Sequence, residues 1–152
     1  KKIIRLVDDY AISKATPKTI DDSVARHQLN HLEAVHMARV IKKLGPSISY
    51  VDSCDVNPDR FGREITSLSK TGKVRSYHHA DSRFVVVSAA SIVAKVTRDR
   101  AIEKIGSLYP IGSGYPSDSR TVKFVRDWFL AQGQVPAFVR KSWAPVRMIL
   151  SS

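Results

Sequence analysis

One stretch, from His78 to Ile105, constrains the fold more than any other part of the chain. It opens with an acidic residue, Asp81, passes through an apolar run and a cluster of small residues, and ends in a basic segment whose apolar residues recur near a 3.6-residue spacing. This spacing predicts a helix from Ser88 to Ile105, with the Ser88 hydroxyl as its N-cap. Such a helix is roughly 27 Å long, which is enough to cross a small sheet. The helix could also have a purely structural role, in which its apolar face packs on the core and its basic face is simply solvated.

Two short segments before this helix predict a parallel sheet. Residues 47–51 and 73–78 are rich in β-branched and aromatic side chains, and a helical segment from Pro58 to about Ser69 lies between them. A strand, a helix and a second strand in succession favour parallel neighbours joined by a crossover. The chain is therefore predicted to be an α/β protein.

The other predicted elements follow from cap residues and helix breakers. They are the end of a helix at residues 1–6, a short strand at 10–15, one long helix that starts in the cap-rich segment 19–22 and stops at Gly45, a helix from Thr121 to Ala131, and a basic tail.

Asp52 directly follows the first predicted strand, and Asp81 lies just past the end of the second. Ligands of open α/β sheets gather at the carboxyl ends of the strands, and a carboxylate there is costly unless it is paired, caps a helix or binds a cation. Two carboxylates that meet at one sheet edge repel each other, and Mg²⁺ or Mn²⁺ is the usual remedy. A metal site and a pair of helix N-caps both remain open at this point. Asp55 is interpreted as a loop or cap residue.

The segment IGSGYPSD at residues 111–118 predicts a tight loop. Gly112 and Gly114 permit backbone angles that other residues avoid, so that Tyr115 can project from the turn. On a basic surface an aromatic ring can stack on a sugar or a base. The competing interpretation is an ordinary half-buried tyrosine, which is the commoner case.

The charge balance favours a polyanionic partner. Twenty-five Lys and Arg against fourteen Asp and Glu give a net charge of +11, and nucleic acid is the first candidate. A merely soluble basic protein is the alternative. Lys95 and Arg98 are predicted to bind substrate phosphates together with a late basic group, formed by Arg120, Lys123, Arg126, Arg140, Lys141 and Arg147.

Length and composition predict a single domain over residues 1–152, since 43% hydrophobic content suffices for a core. The one cysteine, Cys54, excludes an internal disulfide and fits a reducing compartment. No apolar run has the length of a membrane span, and no signal-peptide pattern opens the sequence. We therefore expect a cytoplasmic protein.

Four blocks of sequence, in the same order, closely resemble ribonuclease HII, especially its archaeal type. They are YVDSCDV at residues 50–56, HHADSRFVVVSAASIVAKVTRDR at 78–100, IGSGYPSDSRTVKF at 111–124 and VRKSW at 139–143. The resemblance covers most of the chain, which makes it far more specific than any single short motif. It implies a ribonuclease H-like α/β fold that is incomplete at its N-terminus and followed by C-terminal helices.

The implied activity is cleavage of the RNA strand of RNA/DNA hybrids, and of ribonucleotides embedded in duplex DNA, with 5′-phosphate ends. By this resemblance Asp52 and Asp81 match the last two of the family's acidic ligands for Mn²⁺ or Mg²⁺, and are the implied catalytic residues. Tyr115, which follows Gly114 in the glycine-rich loop, matches the tyrosine that recognises the junction between a ribonucleotide and the next deoxyribonucleotide.

The family's first two ligands form an Asp-Glu pair in a DEAGRG-type motif, and no such motif occurs in these 152 residues. We therefore expect the N-terminal strands that carry it to lie before Lys1, and we expect the 152-residue polypeptide alone to be poorly soluble and inactive. The alternative function is a catalytically silent fragment that only binds nucleic acid. His79 stands where the family commonly has lysine, which puts a phosphate contact at that position in doubt.

Overall fold

A computed structural model describes residues 2–151, which divide into two compact units. The first unit comprises the residues up to Lys14 together with Leu29–Val96, and the second comprises Ala15–Gln28 and the residues from Thr97 onward. The single domain expected for residues 1–152 stays a prediction. The helices and strands are α1 (Pro17–Ala25), α2 (Leu29–Leu44), β1 (Ile48–Asp52), α3 (Pro58–Ser69), β2 (Lys73–Tyr77), α4 (Ala80–Arg83), α5 (Val85–Gly106), α6 (Ser119–Gln132) and α7 (Ala144–Leu150).

The predicted parallel sheet is present in the first unit. β1 and β2 pair in parallel with Ile48 opposite Lys73 and Asp52 opposite Tyr77, and α3 forms the crossover between them. Among the described residues these two strands make up the whole sheet. The predicted α/β class is confirmed.

The crossover helix α3 begins where its sequence predicts. Asn57 is the N-cap and its side chain accepts a hydrogen bond of 3.0 Å from the Arg60 amide, while Pro58 occupies the first turn. A Cβ added at Gly62 would lie 3.2 Å from Cβ of Ser76, so glycine here lets α3 pack closely on β2. The core of this unit is formed by Ala34, Ala38, Ile41, Val51, Phe61 and Ile65.

Several predicted boundaries near the N-terminus are wrong. The long helix expected from 19–22 to Gly45 is two helices, because His27 adopts a left-handed conformation (φ 55°) and ends the first of them. α1 starts earlier than predicted, with Thr16 as its N-cap and Pro17 in its first turn. Residues 10–15 form no strand. The helix expected at residues 1–6 is a short 3₁₀ turn at Ile3–Arg5, and Lys1 lies outside the described residues.

The helix expected from Ser88 begins three residues earlier, at Val85, so that Ser88 lies inside α5 and is not its N-cap. Phe84 has an extended backbone and packs its ring against Tyr50 and Tyr77, with centroid distances of 4.7 and 5.2 Å. This aromatic contact anchors Phe84 against both strands, directly before the first residue of α5.

The second unit has its own apolar core beneath α6, formed by Val125, Val135, Val139, Val146 and Ile149. The segment expected as a basic tail contains α7, whose Val146 and Ile149 are buried. No helix among the described residues has the length and apolar character needed to cross a membrane.

Candidate active site

Asp52 is held at the carboxyl end of β1 by a backbone group that follows β2. The Ala80 amide donates a hydrogen bond of 3.1 Å to Oδ1 of Asp52, and Ser53 N–H continues the ladder to the Tyr77 carbonyl at 2.9 Å. Because the two strands are parallel neighbours, their carboxyl ends meet at one edge of the sheet. Asp52 is thereby fixed next to the start of α4.

Asp81 lies in the first turn of α4, one residue after the amide that binds Asp52. Its residue is exposed, whereas Ala80 is completely buried and anchors the turn. His79 precedes them with a left-handed backbone (φ 53°), a conformation that side-chain-bearing residues rarely adopt. This turn aims the chain from β2 into α4 and so sets the position of Asp81 relative to the strand ends.

Both carboxylates line one groove in the first unit, which we call the apolar groove. It has a volume of about 630 Å³, and all five residues of β1 line it. Its walls are mostly aliphatic and aromatic, and include Met37, Val40, Ile41, Val86 and Val87. Asp52 and Asp81 thus line the same water-accessible groove. The Asp52 carboxylate accepts from the first amide of α4, which is the contact that the helix-cap alternative expects, and a shared ion at these two carboxylates stays a prediction.

These carboxylates fit a hard divalent cation in part. Carboxylate oxygens are the ligands that Mg²⁺ and Mn²⁺ prefer, and Asp52 uses only Oδ1 for the Ala80 amide. Within residues 2–151 no third His, Cys, Asp or Glu joins them in a group that could hold a metal. Asp52 and Asp81 are therefore two candidate ligands for such an ion.

Asp55 has a structural role, as interpreted from the sequence. It is buried, with Arg60 Nη2 at 2.7 Å from both of its oxygens, and it accepts a hydrogen bond of 2.8 Å from the Asn57 amide. The contacts with Arg60 and Asn57 lower the pKa of this carboxyl. Asp55 therefore stays ionised and ties the loop after β1 to the start of α3.

The glycine-rich loop of the second unit is fixed by one buried threonine. Thr121 Oγ1 donates to the Ile111 carbonyl at 2.7 Å and accepts from the Gly114 amide at 3.0 Å. Asp118, the N-cap of α6, accepts from the Ser113 amide at 2.8 Å. The predicted tight loop is thus confirmed, and its backbone is closed against the start of α6.

Tyr115 is the first residue of a turn in this loop, and its carbonyl accepts a hydrogen bond of 3.1 Å from the Asp118 amide. The residue is 41% exposed. The Arg98 guanidinium lies over its ring, 3.6 Å from the ring centre, and donates a hydrogen bond of 2.8 Å to the Gly114 carbonyl. The structure therefore brings together Arg98, Gly114 and Tyr115, three of the residues singled out from the sequence.

The basic residues that the sequence predicts to bind phosphates differ in whether an acidic side chain already pairs with them. Lys95 is exposed on α5 and has no ion-pair partner among residues 2–151. In the late basic group, Arg120 is paired with Asp118 and Lys123 with Asp127. The remaining exposed members, Arg126, Lys141 and Arg147, make no ion pair within the described residues.

Comparison with known proteins shows the family to which this chain belongs. A family model described as Ribonuclease HII matches residues 1–146. The chain belongs to the ribonuclease HII family. Ribonuclease HII of Cenarchaeum symbiosum is 56% identical over 148 residues, which are 97% of this chain and 72% of that protein. Ribonuclease HII of Thermococcus sibiricus is 43% identical over 98% of this chain and 67% of that protein.

Solved structures agree with this assignment. The crystal structure of ribonuclease H2 from Pyrococcus horikoshii OT3 matches with a TM-score of 0.89 and 42% identity, over 99% of this chain and 72% of that one. The ribonuclease HII in a PCNA complex from Archaeoglobus fulgidus matches with a TM-score of 0.77 and 39% identity, over 86% and 64% of the two chains. These matches confirm the predicted ribonuclease H-like fold. The chain is thus of the ribonuclease H type, and the proteins of its family are nucleic-acid hydrolases, endonucleases that depend on a divalent metal.

Sequence reasoning missed three groups that shape the ribonuclease HII site. They are the Ala80 amide, the Thr121 hydroxyl and the Asp21 carboxylate, which accepts from the backbone amides of Lys141 and Ser142 at 2.8 and 3.0 Å. Burial raises the pKa of Asp21, but hydrogen bonds from Ser142 and Lys141 outweigh it, and the net shift is downward. The Ala80 amide binds a side chain, whereas Thr121 and Asp21 bind backbone groups. Each contact joins residues at least seven positions apart, and no local pattern signals it.

Proposed function

We propose that this ribonuclease HII cleaves the RNA strand of RNA/DNA hybrids and single ribonucleotides in duplex DNA, and leaves 5′-phosphate ends. Asp52 and Asp81 are the proposed catalytic and metal-binding residues, with Mg²⁺ or Mn²⁺ as the ion. The observation that carries the proposal is their convergence on the apolar groove, where the Ala80 amide holds Asp52 beside the turn that bears Asp81.

Each carboxylate has a defined task in this proposal. Bound Mg²⁺ or Mn²⁺ supplies activation of water and neutralisation of charge on the scissile phosphate. Asp52 offers Oδ2 while Oδ1 is held by the Ala80 amide, so that its rotamer is set before any ligand arrives. Asp81 projects from an exposed helical turn whose base, Ala80, is buried. Two fixed oxygen ligands at one sheet edge give a cation little freedom to shift.

The proposed substrate-binding residues are Tyr115, Gly114 and Arg98 in the second unit and Lys95 in the first. Tyr115 presents an exposed ring from a rigid loop, which suits stacking on a sugar or a base. Gly114 is buried beneath it with φ 69°, and a Cβ there would lie 2.8 Å from Ile102 Cδ1. Lys95, which is exposed and unpaired within the described residues, is suited to contact a phosphate.

The net charge of +11 supports a polyanionic substrate. If about six phosphates are neutralised, log affinity falls with log salt at a slope near −5. A flat salt response would contradict a hybrid-binding surface. We also propose a cytoplasmic location, supported by the single free cysteine.

The test compares the full-length natural protein with the 152-residue polypeptide on a duplex that contains one ribonucleotide. With Mg²⁺ or Mn²⁺ the full-length protein is expected to cut at the ribonucleotide, to leave an end that phosphatase treatment alters, and to spare the all-DNA duplex. The 152-residue polypeptide is expected to lack activity, because its described residues supply two acidic ligands. Binding without cleavage by both proteins would instead support the binding-only alternative.

A further inference from the structure

Arg98 makes three contacts, two of them with the glycine-rich loop and one with the next residue of α5. Its guanidinium carbon lies 3.6 Å from the centre of the Tyr115 ring, one terminal nitrogen donates to the Gly114 carbonyl at 2.8 Å, and the other donates to Asp99 Oδ1 at 3.2 Å. The group is flat, and these contacts use one of its faces and both of its terminal nitrogens. Two of its five N–H donors are used, and the plane of the group is fixed against the ring.

The loop backbone beneath Tyr115 is already rigid. Thr121 Oγ1 holds the Ile111 carbonyl and the Gly114 amide, and the Asp118 amide holds the Tyr115 carbonyl at 3.1 Å. What these bonds leave free is rotation of the Tyr115 side chain about its own single bonds. Arg98 is the neighbour that removes this freedom, because it covers one face of the ring.

Arginine restricts the rotation of the Tyr115 side chain better than lysine would. A planar guanidinium can stack on a ring and donate in its own plane at the same time, as Arg98 does toward Gly114. An ammonium group is a compact charge that cannot stack, so a lysine at position 98 would keep the charge and lose the fixed ring.

We propose that Arg98 is a positioning residue that orients Tyr115, so that the tyrosine offers a single open face to the nucleic acid. The inference rests on the proposed function, since it assigns Arg98 to the recognition of the ribonucleotide junction rather than to a backbone phosphate. The covered face is closed to stacking, which makes recognition one-sided and dependent on the helix that carries Arg98.

The test measures binding of the full-length natural protein to two duplexes, one with a single ribonucleotide and one of DNA only, in EDTA so that neither is cut. Tyr115→Ala is expected to reduce the affinity ratio between the duplexes about tenfold, as for loss of one stacked base. Arg98→Lys is expected to reduce it about fivefold, in the range of one lost hydrogen bond, because an ammonium group cannot stack on the ring and also donate to the Gly114 carbonyl. In the double variant the loss is expected to equal that of Tyr115→Ala alone, because Arg98 acts through the ring.

Arg100→Lys is the matched control, an exposed arginine two positions along α5, and its ratio is expected to equal that of wild type. Arg98→Gln adds a second measurement, since loss of a phosphate contact would lower the salt slope by about one and loss of a positioning contact would leave it unchanged. Three outcomes would each overturn the proposal. They are an affinity ratio in Arg98→Lys equal to that of wild type, additive losses in the double variant, and a lower salt slope in Arg98→Gln. If wild type itself fails to distinguish the duplexes, the proposed function fails, and the role of Arg98 with it.

Discussion

The backbone amide of Ala80 and the carboxylate of Asp52 are joined by a hydrogen bond of 3.1 Å across the ends of two parallel strands. The residue after that amide is Asp81. A single contact therefore both orients one proposed metal ligand and places the backbone of the other. This coupling explains why two residues 29 positions apart, one intermediate in burial and one exposed, line the same groove.

Replacing Asp81 is expected to abolish most activity without unfolding the protein. Asp81→Asn in the full-length natural protein should lower the cleavage rate by about three decades, roughly 4 kcal/mol of transition-state stabilisation. The matched control is Asp59→Asn, another exposed acid in the first turn of a helix, which should cut at close to the wild-type rate. Near-normal turnover by Asp81→Asn would reduce Asp81 to a helix-terminal charge.

The Thr121 hydroxyl is expected to stabilise the glycine-rich loop. Thr121→Val keeps the shape of the side chain but leaves the Ile111 carbonyl and the Gly114 amide without this partner. Unsatisfied buried polar groups cost about 1–3 kcal/mol each, so a loss of at least about 1 kcal/mol in the free energy of unfolding is expected by urea titration. Thr121→Ser retains the hydroxyl and should lose clearly less. A loss in Thr121→Ser that equals or exceeds the loss in Thr121→Val would show that the hydroxyl contributes no more to stability than the methyl group does.

The ion pair between Asp55 and Arg60 predicts a specific loss of stability in acid. Hydrogen bonding to Arg60 and to the Asn57 amide lowers the Asp55 pKa below its ordinary 3.8, so the folded state binds this proton less readily than the unfolded state. The resulting stability is present above the ordinary pKa and is lost as the pH falls through the folded value. The gap in urea midpoint between wild type and Asp55→Asn should therefore be largest at neutral pH and shrink below about pH 4.

Arg60→Gln removes the other half of this ion pair and provides the companion measurement. Its gap to wild type should shrink over the same acidic range. A gap that stays constant for both variants down to pH 2 would contradict the role of the pair.

Cys54 is expected to react slowly although its residue is exposed. Partial desolvation and a hydrogen bond with Glu33 raise the pKa of its thiol from 9.0 to about 12. The thiolate is the reactive form, and its thousandfold lower population is offset in part by higher intrinsic nucleophilicity, so alkylation near pH 8 should be about fiftyfold slower than for a free thiol. Since the chain has one cysteine, the rate of mass increase with iodoacetamide reads this site alone.

Glu33→Gln removes a negative charge beside the thiol and should speed the alkylation of Cys54. The unfolded protein in urea gives the reference rate for an unperturbed thiol. Equal rates for folded and unfolded protein would show that the environment of Cys54 has no influence on its reactivity.

The parts of the fold that the sequence predicts well are those fixed by local chemistry. β-branched and aromatic residues mark both strands, and Asn57 with Pro58 marks the start of α3. The break at His27 was missed because a left-handed residue there is usually glycine or asparagine. The start of α5 was missed because the position of Phe84 depends on rings from both strands.

The features of the candidate site also divide into those that the sequence predicts and those that depend on the folded structure. Asp52 and Asp81 follow recognisable strands, so their convergence can be predicted from the rule for carboxyl ends of parallel strands. The stacking of Arg98 on Tyr115 cannot, because it depends on how a loop folds back on a helix 17 residues away in sequence. Basic residues such as Arg120 looked equally available for phosphates, and only the structure shows its pairing with Asp118.

The uninterrupted course of β1, α3 and β2 has a consequence for the order of folding. Every paired position of the sheet, from Ile48 with Lys73 to Asp52 with Tyr77, is connected by the same short crossover. Closing one such loop costs little entropy compared with parallel pairing between remote segments, and a single closure brings all five pairs into register. We therefore expect the segment formed by β1, α3 and β2 to fold early. Asp52, and the turn after β2 that leads to Ala80, would then be in place before the rest of the chain packs around them.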